Sequence, residues 1–90
     1  MSAGTRGREI DYVPKAVKEL AKLDKAAARR ITQAVSALAD DPLPGGSRPL
    51  VGYPDLLRLR IGDYRVIYAI ENDKILVLRV AHRREVYRNL

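Results

Sequence analysis

The sequence predicts an α+β fold, with two helices packed on one face of a small sheet, and three observations carry that reading. Apolar residues recur at helical spacing in the first half, strand-like runs joined by two-residue turns fill the second, and a stretch rich in proline and glycine divides them. The expected order is strand, helix, helix, then a three-stranded antiparallel meander and a short tail. Ninety residues have room for one core, so residues 1–90 form a single domain.

Residues 8–13 read as a short first strand on their length and Ile-Asp-Tyr-Val content. Pro14 suits the first turn of a helix, where its missing N–H would have no partner anyway; Val17, Leu20 and Ala21 then follow at helical spacing until Leu23. Asp24 is a good N-cap for a second helix, whose apolar stripe is Ala27, Ile31, Ala34, Val35 and Leu38, and Asp40-Asp41-Pro42 ends it. Residues 42–54 hold four of the five prolines and three of the six glycines, so a loop with no regular element is expected. Gly45-Gly46-Ser47 lacks the Gly-Lys-Ser/Thr ending of a phosphate loop, which excludes that motif. Strands are expected over 56–61, 64–71 and 74–82. The turns Gly62-Asp63 and Asn72-Asp73 make consecutive hairpins of them.

Composition removes whole classes of chemistry. The absence of cysteine excludes disulfides, a thiolate nucleophile and cysteine-ligated zinc, and a lone histidine, His82, excludes a paired-histidine metal motif; no cofactor or metal is implied. No stretch approaches the roughly 18 apolar residues that span a bilayer, and Met1 to Gly7 has no apolar run, so a soluble, cytoplasmic protein without membrane partners is expected. The net charge is +6, and it is uneven: from Arg58 onward eight basic residues, seven of them arginine, stand against four acidic ones. Arginine's planar fork grips phosphate at two points, so a polyanion is the favoured partner.

The turn at Gly62-Asp63 sets Arg60 opposite Arg65, with Arg58 two residues along on the same face, while Leu57, Leu59 and Ile61 point to the core. Like charges directly opposite destabilise a hairpin by roughly 0.2–1 kcal/mol, and an anion is the natural remedy. Glu71 opposite Lys74 reads as a favourable cross-strand pair, and Arg79, inside an apolar run, as a structural ion-pair residue. Tyr12, Tyr53, Tyr64 and Tyr68 read as packing. The closing segment His82-Arg83-Arg84-Glu85-Val86-Tyr87-Arg88 is dense in groups that contact RNA.

The segments Leu50-Val51-Gly52-Tyr53-Pro54-Asp55, Leu57-Arg58-Leu59-Arg60, Gly62-Asp63-Tyr64-Arg65-Val66-Ile67-Tyr68 and His82-Arg83-Arg84-Glu85-Val86-Tyr87 together resemble the RelE family of toxins, within the RelE/ParE superfamily. The resemblance implies a toxin of a type II toxin–antitoxin system: a ribosome-dependent endoribonuclease that cuts mRNA in the A site and is held inactive by a cognate antitoxin protein. It also implies a small sheet with two N-terminal helices. By local motif, Arg58 and Arg60 stand at the family's basic pair, Arg65 at its Tyr-Arg step, Arg83 at the basic position entering the tail and Tyr87 at the tail tyrosine.

On this resemblance Arg60, Arg65, Arg83 and Tyr87 are the catalytic candidates, with arginine stabilising the charge that builds on the phosphoryl group. Arg58 and Arg84 would hold RNA, and Lys15, Lys18 and Lys22, one face of the first helix, would meet 16S rRNA of the ribosome. Arginine cannot take up the 2′-hydroxyl proton at neutral pH. The general base is therefore open among Tyr87, Glu85 and His82, or no dedicated base at all. Strict two-residue turns place His82, not Arg83, on the face of Arg60 and Arg65, so a bulge or strand end must intervene if Arg83 belongs there. The alternative readings are a ParE-like, non-enzymatic inhibitor of DNA gyrase on the same fold, and an RNA-binding domain without catalysis.

Overall fold

Five strands form one mixed sheet, and two helices cover one of its faces. The computed structural model describes residues 7–86. In chain order the elements are β1 (Glu9–Tyr12), α1 (Pro14–Ala21), α2 (Lys25–Ala37), β2 (Ser47–Leu50), β3 (Tyr53–Ile61), β4 (Tyr64–Glu71) and β5 (Lys74–His82), with the strands in the order β1-β5-β4-β3-β2. β1 runs parallel to β5, and every other neighbour is antiparallel.

Both helices start as the sequence indicates. Pro14 opens α1 behind an extended Val13, and α1 closes with bonds from the Lys22 and Leu23 N–H groups to Glu19 and Leu20, a tightened final turn. The Asp24 side chain accepts from the Ala27 N–H at 3.3 Å and caps α2. Asp24→Ala should therefore cost about 1 kcal/mol, read as a lower urea midpoint at unchanged slope.

The main core lies between the helices and the sheet. Ala16, Ile31, Val35 and Leu38 pack on Leu59, Val66, Tyr68, Ile75, Val77 and Val80. Tyr68 is fully buried, and its hydroxyl donates to the Pro42 carbonyl at 2.6 Å, tying the 42–46 segment down; burial pushes its phenol pKa up. A smaller cluster on the opposite face joins Leu50, Ile67, Ala81 and Val86, so the turn that ends the described residues packs on the uncovered side.

The stretch expected to be a featureless loop instead contains β2, and β3 begins at Tyr53, three residues earlier than expected. Pro49 does not prevent this because β2 is an edge strand, where one side of the backbone has no neighbour to bond. Gly52, at φ +85, makes the turn into β3. Lys74 stands opposite Glu71 as expected, and its ammonium also lies 3.1 Å from Asp11 of β1, the neighbour on its other side; that hydrogen bond is the main cause that raises its pKa, and Glu71 adds to it.

Candidate functional site

The two-residue turn at Gly62, whose φ of +60 favours glycine, fixes the β3–β4 pairing as Ile61 with Tyr64 and Arg60 with Arg65. Arg58 pairs with Ile67 one step further along the same face, and Arg48 of β2 pairs with Arg58 from the other side. Arg48, Arg58, Arg60 and Arg65 thus line one cleft of about 180 Å³, with Gly45 and Gly46 completing its wall.

No carboxylate lines this cleft, and among the described residues none of the four arginines takes part in an ion pair. Arg65 is only 9% exposed; its Nη1 donates to the Gly62 and Tyr64 carbonyls, each at 2.9 Å, which pins the fork beside the turn. Arg48 is held in the same way by the Gly45 and Ser47 carbonyls, at 3.2 and 2.8 Å. Several positive charges fixed at short range leave the cleft with an uncompensated field, which an anion with oxygens on several sides would relieve. Arg48 was not legible as a site residue, because its place depends on β2. The nearest signal was Gly45-Gly46, which is no phosphate loop but does form the rim.

A β-bulge in β5 decides which groups from the tail approach this face. Tyr68 pairs with Val77 and Ile67 with Arg79, so Leu78 is an extra residue in β5. Beyond it Ala81 stands opposite Arg65, and His82 opposite Tyr64, on the side that carries the main core. Without the bulge His82 would have shared the arginine face. Arg83 leaves the strand two residues beyond Ala81, exposed, with its N–H donating to Asp63 O at 2.8 Å.

The remaining candidates are distributed elsewhere. The His82 Nδ1 accepts from the Arg84 N–H at 3.2 Å, and the His82 carbonyl accepts from Glu85 and Val86, so this residue organises the turn of the tail. His82 and Glu85 line a separate cleft of about 290 Å³ with Glu19, Lys22, Leu23 and Tyr64. Arg84 is exposed on the tail, and Lys15, Lys18 and Lys22 are exposed along α1, away from the arginine cleft. Tyr87 lies outside the described residues. Among the described residues no group of three or more His, Asp or Glu side chains gathers as a metal site.

Comparison with known proteins bears on this arrangement. A family model described as the ParE toxin of the type II toxin–antitoxin system parDE matches residues 10–87. The toxin chain in the archaeal RelE–RelB complex from Pyrococcus horikoshii is 31% identical with a TM-score of 0.75, over 89% of this chain and 99% of that one. The toxin–antitoxin complex RelBE2 from Mycobacterium tuberculosis superposes at a TM-score of 0.78, with 24% identity over 90% of this chain and 97% of that one. The isolated RelE toxin of E. coli gives 0.72, with 20% identity over 83% of each chain; these last two show the same fold. No curated protein matches at a significant level.

Proposed function

The chain belongs to the ParE toxin family of type II toxin–antitoxin systems, within the RelE/ParE superfamily, and from that premise we propose that it is a RelE-type endoribonuclease that cuts mRNA in the ribosomal A site. The observation that carries this reading is the cleft of four arginines with no carboxylate partner among the described residues. In the proposed reaction the 2′-oxygen of one nucleotide attacks the next phosphorus. The new O2′–P bond forms as the P–O5′ bond breaks, leaving a cyclic phosphate and a 5′-hydroxyl. Negative charge grows on the phosphoryl oxygens, and Arg60 and Arg65 are assigned to stabilise it, with Arg83 arriving from the tail.

Arg58 and Arg48 hold the flanking backbone, which aligns the attacking oxygen. Tyr87 is assigned to orient or stack on the nucleotide, and Arg84 with the α1 lysines to contact RNA of the ribosome. The proton of the 2′-hydroxyl goes to a base that is not an arginine, with Tyr87, Glu85 and His82 as the candidates. The solved relatives from Pyrococcus horikoshii and Mycobacterium tuberculosis are complexes with antitoxins, which supports an antitoxin partner here. An acidic, amphipathic helix would suit a sheet face with arginines at one end and the partly exposed Leu56 and Leu78 beside them. A cytoplasmic location follows from the ribosome as target, and no helix among the described residues is long and apolar enough to cross a membrane.

The family model is that of ParE toxins, which favours as second reading the ParE-like alternative drawn from the sequence, poisoning of DNA gyrase on the same fold. Primer extension on mRNA in a translation extract separates the two. The expected result is new 5′ ends at A-site codons; intact mRNA with gyrase trapped on DNA would overturn the nuclease reading.

A further inference from the structure

The turn that closes the described residues is anchored by a buried ion pair that the reaction itself does not use. Arg79 is 7% exposed, and its Nε and Nη2 both donate to the Glu19 Oε2 of α1, at 2.9 and 2.8 Å. Its Nη1 donates to the carbonyl of Val86 at 3.1 Å. The second carboxylate oxygen of Glu19 accepts from the Val80 N–H at 2.8 Å. The pairing of β1 with β5 ends at Val77, so beyond that point the edge of β5 lacks a strand, and the Glu19 carboxylate takes the bond a strand would have made. One guanidinium thus joins α1, β5 and the last turn of the described chain.

A buried ion pair is weak evidence for stability, because desolvating two charges offsets most of their attraction and an apolar replacement is often as stable. What an arginine fork adds is direction, since its donors leave a rigid plane at fixed angles. Around Val86 the tail is otherwise held by its own turn and by the Val86 side chain in the smaller apolar cluster. Arg79 also sits at the bulge that decides which tail residues share the arginine face. We propose that Arg79, held by Glu19, is a positioning residue that sets the path of the 83–86 turn and with it the direction in which Arg83 is presented. This rests on the assignment of Arg83 to RNA in the proposed function.

The test compares the full-length wild type with Arg79→Met, which keeps an apolar stem and loses the links to Glu19 and Val86. Amide exchange is read at Glu85 and Val86, and kcat and KM are read for ribosome-dependent cleavage. The expected result is at least about a tenfold loss of protection at those two amides with β3 and β4 unchanged. Alongside it, kcat should fall about tenfold or more while KM for ribosomes holds within about twofold. Unchanged protection of the tail amides overturns the proposal, and so does a KM change with constant kcat. Should Arg79→Met fail to fold, Glu19→Gln gives the same readouts, since an amide cannot serve both Arg79 and the Val80 N–H as an acceptor. If the wild type cuts no RNA, the exchange arm alone decides the positioning role, and the nuclease reading fails separately.

Discussion

Arg65→Ala is expected to lower RNA cutting about 10²–10³-fold, the usual loss when one preorganised donor is withdrawn from developing charge. The structure adds a stability cost, because Arg65 is nearly buried and its Nη1 bonds two turn carbonyls. Each lost bond is worth about 1 kcal/mol, and the freed carbonyls lie in an exposed turn that water can reach. A fall in melting temperature should therefore accompany the loss of activity without explaining it. Single-turnover cleavage at a temperature where both proteins are folded by circular dichroism makes the separation. Cutting at the wild-type rate by the folded variant would remove Arg65 from the reaction.

Tyr68→Ala should be the most destabilising single change in the sheet, costing about 3–5 kcal/mol, since it empties a fully buried ring site between helices and sheet. It also releases the Pro42 carbonyl, which holds the segment leading to Gly45, Gly46 and Arg48. Urea unfolding measures the loss, and a change below about 1 kcal/mol would contradict the packing described. Tyr68→Phe separates the hydroxyl from the ring. Burial raises the phenol's pKa in the folded protein, so the unfolded chain ionises first, at about pH 10. The stability tied to this group is complete below that value and is lost as pH rises through the folded pKa. The phenylalanine variant should lack that alkaline decline.

Those parts of the fold governed by short-range rules were legible. Asp24 capped α2, and Gly62-Asp63 and Asn72-Asp73 fixed two hairpin registers because a two-residue turn leaves no choice of pairing. The facing of Arg60 and Arg65 followed from the same constraint. The unread parts were long-range decisions. β2 is four residues containing a proline, too short to show alternation, and with it went Arg48 and a quarter of the cleft's guanidinium groups. The ion pair of Lys74 with Asp11 was not readable because β1 returns beside β5 from more than sixty positions away in the chain. The parity conflict between His82 and Arg83 raised a bulge as one option beside a strand end, but its position at Leu78 was not readable, since Leu78 looks like any other member of an apolar run.

Leu78 gives β5 one residue of slack. A relative with that strand one residue shorter would pair Val77 and Arg79 as neighbours and still send the same groups to the same sides. When such chains are aligned, the gap belongs at Leu78. Moving it beyond Arg83 would match every residue from Arg79 to Arg83 of this protein to one that faces the opposite side.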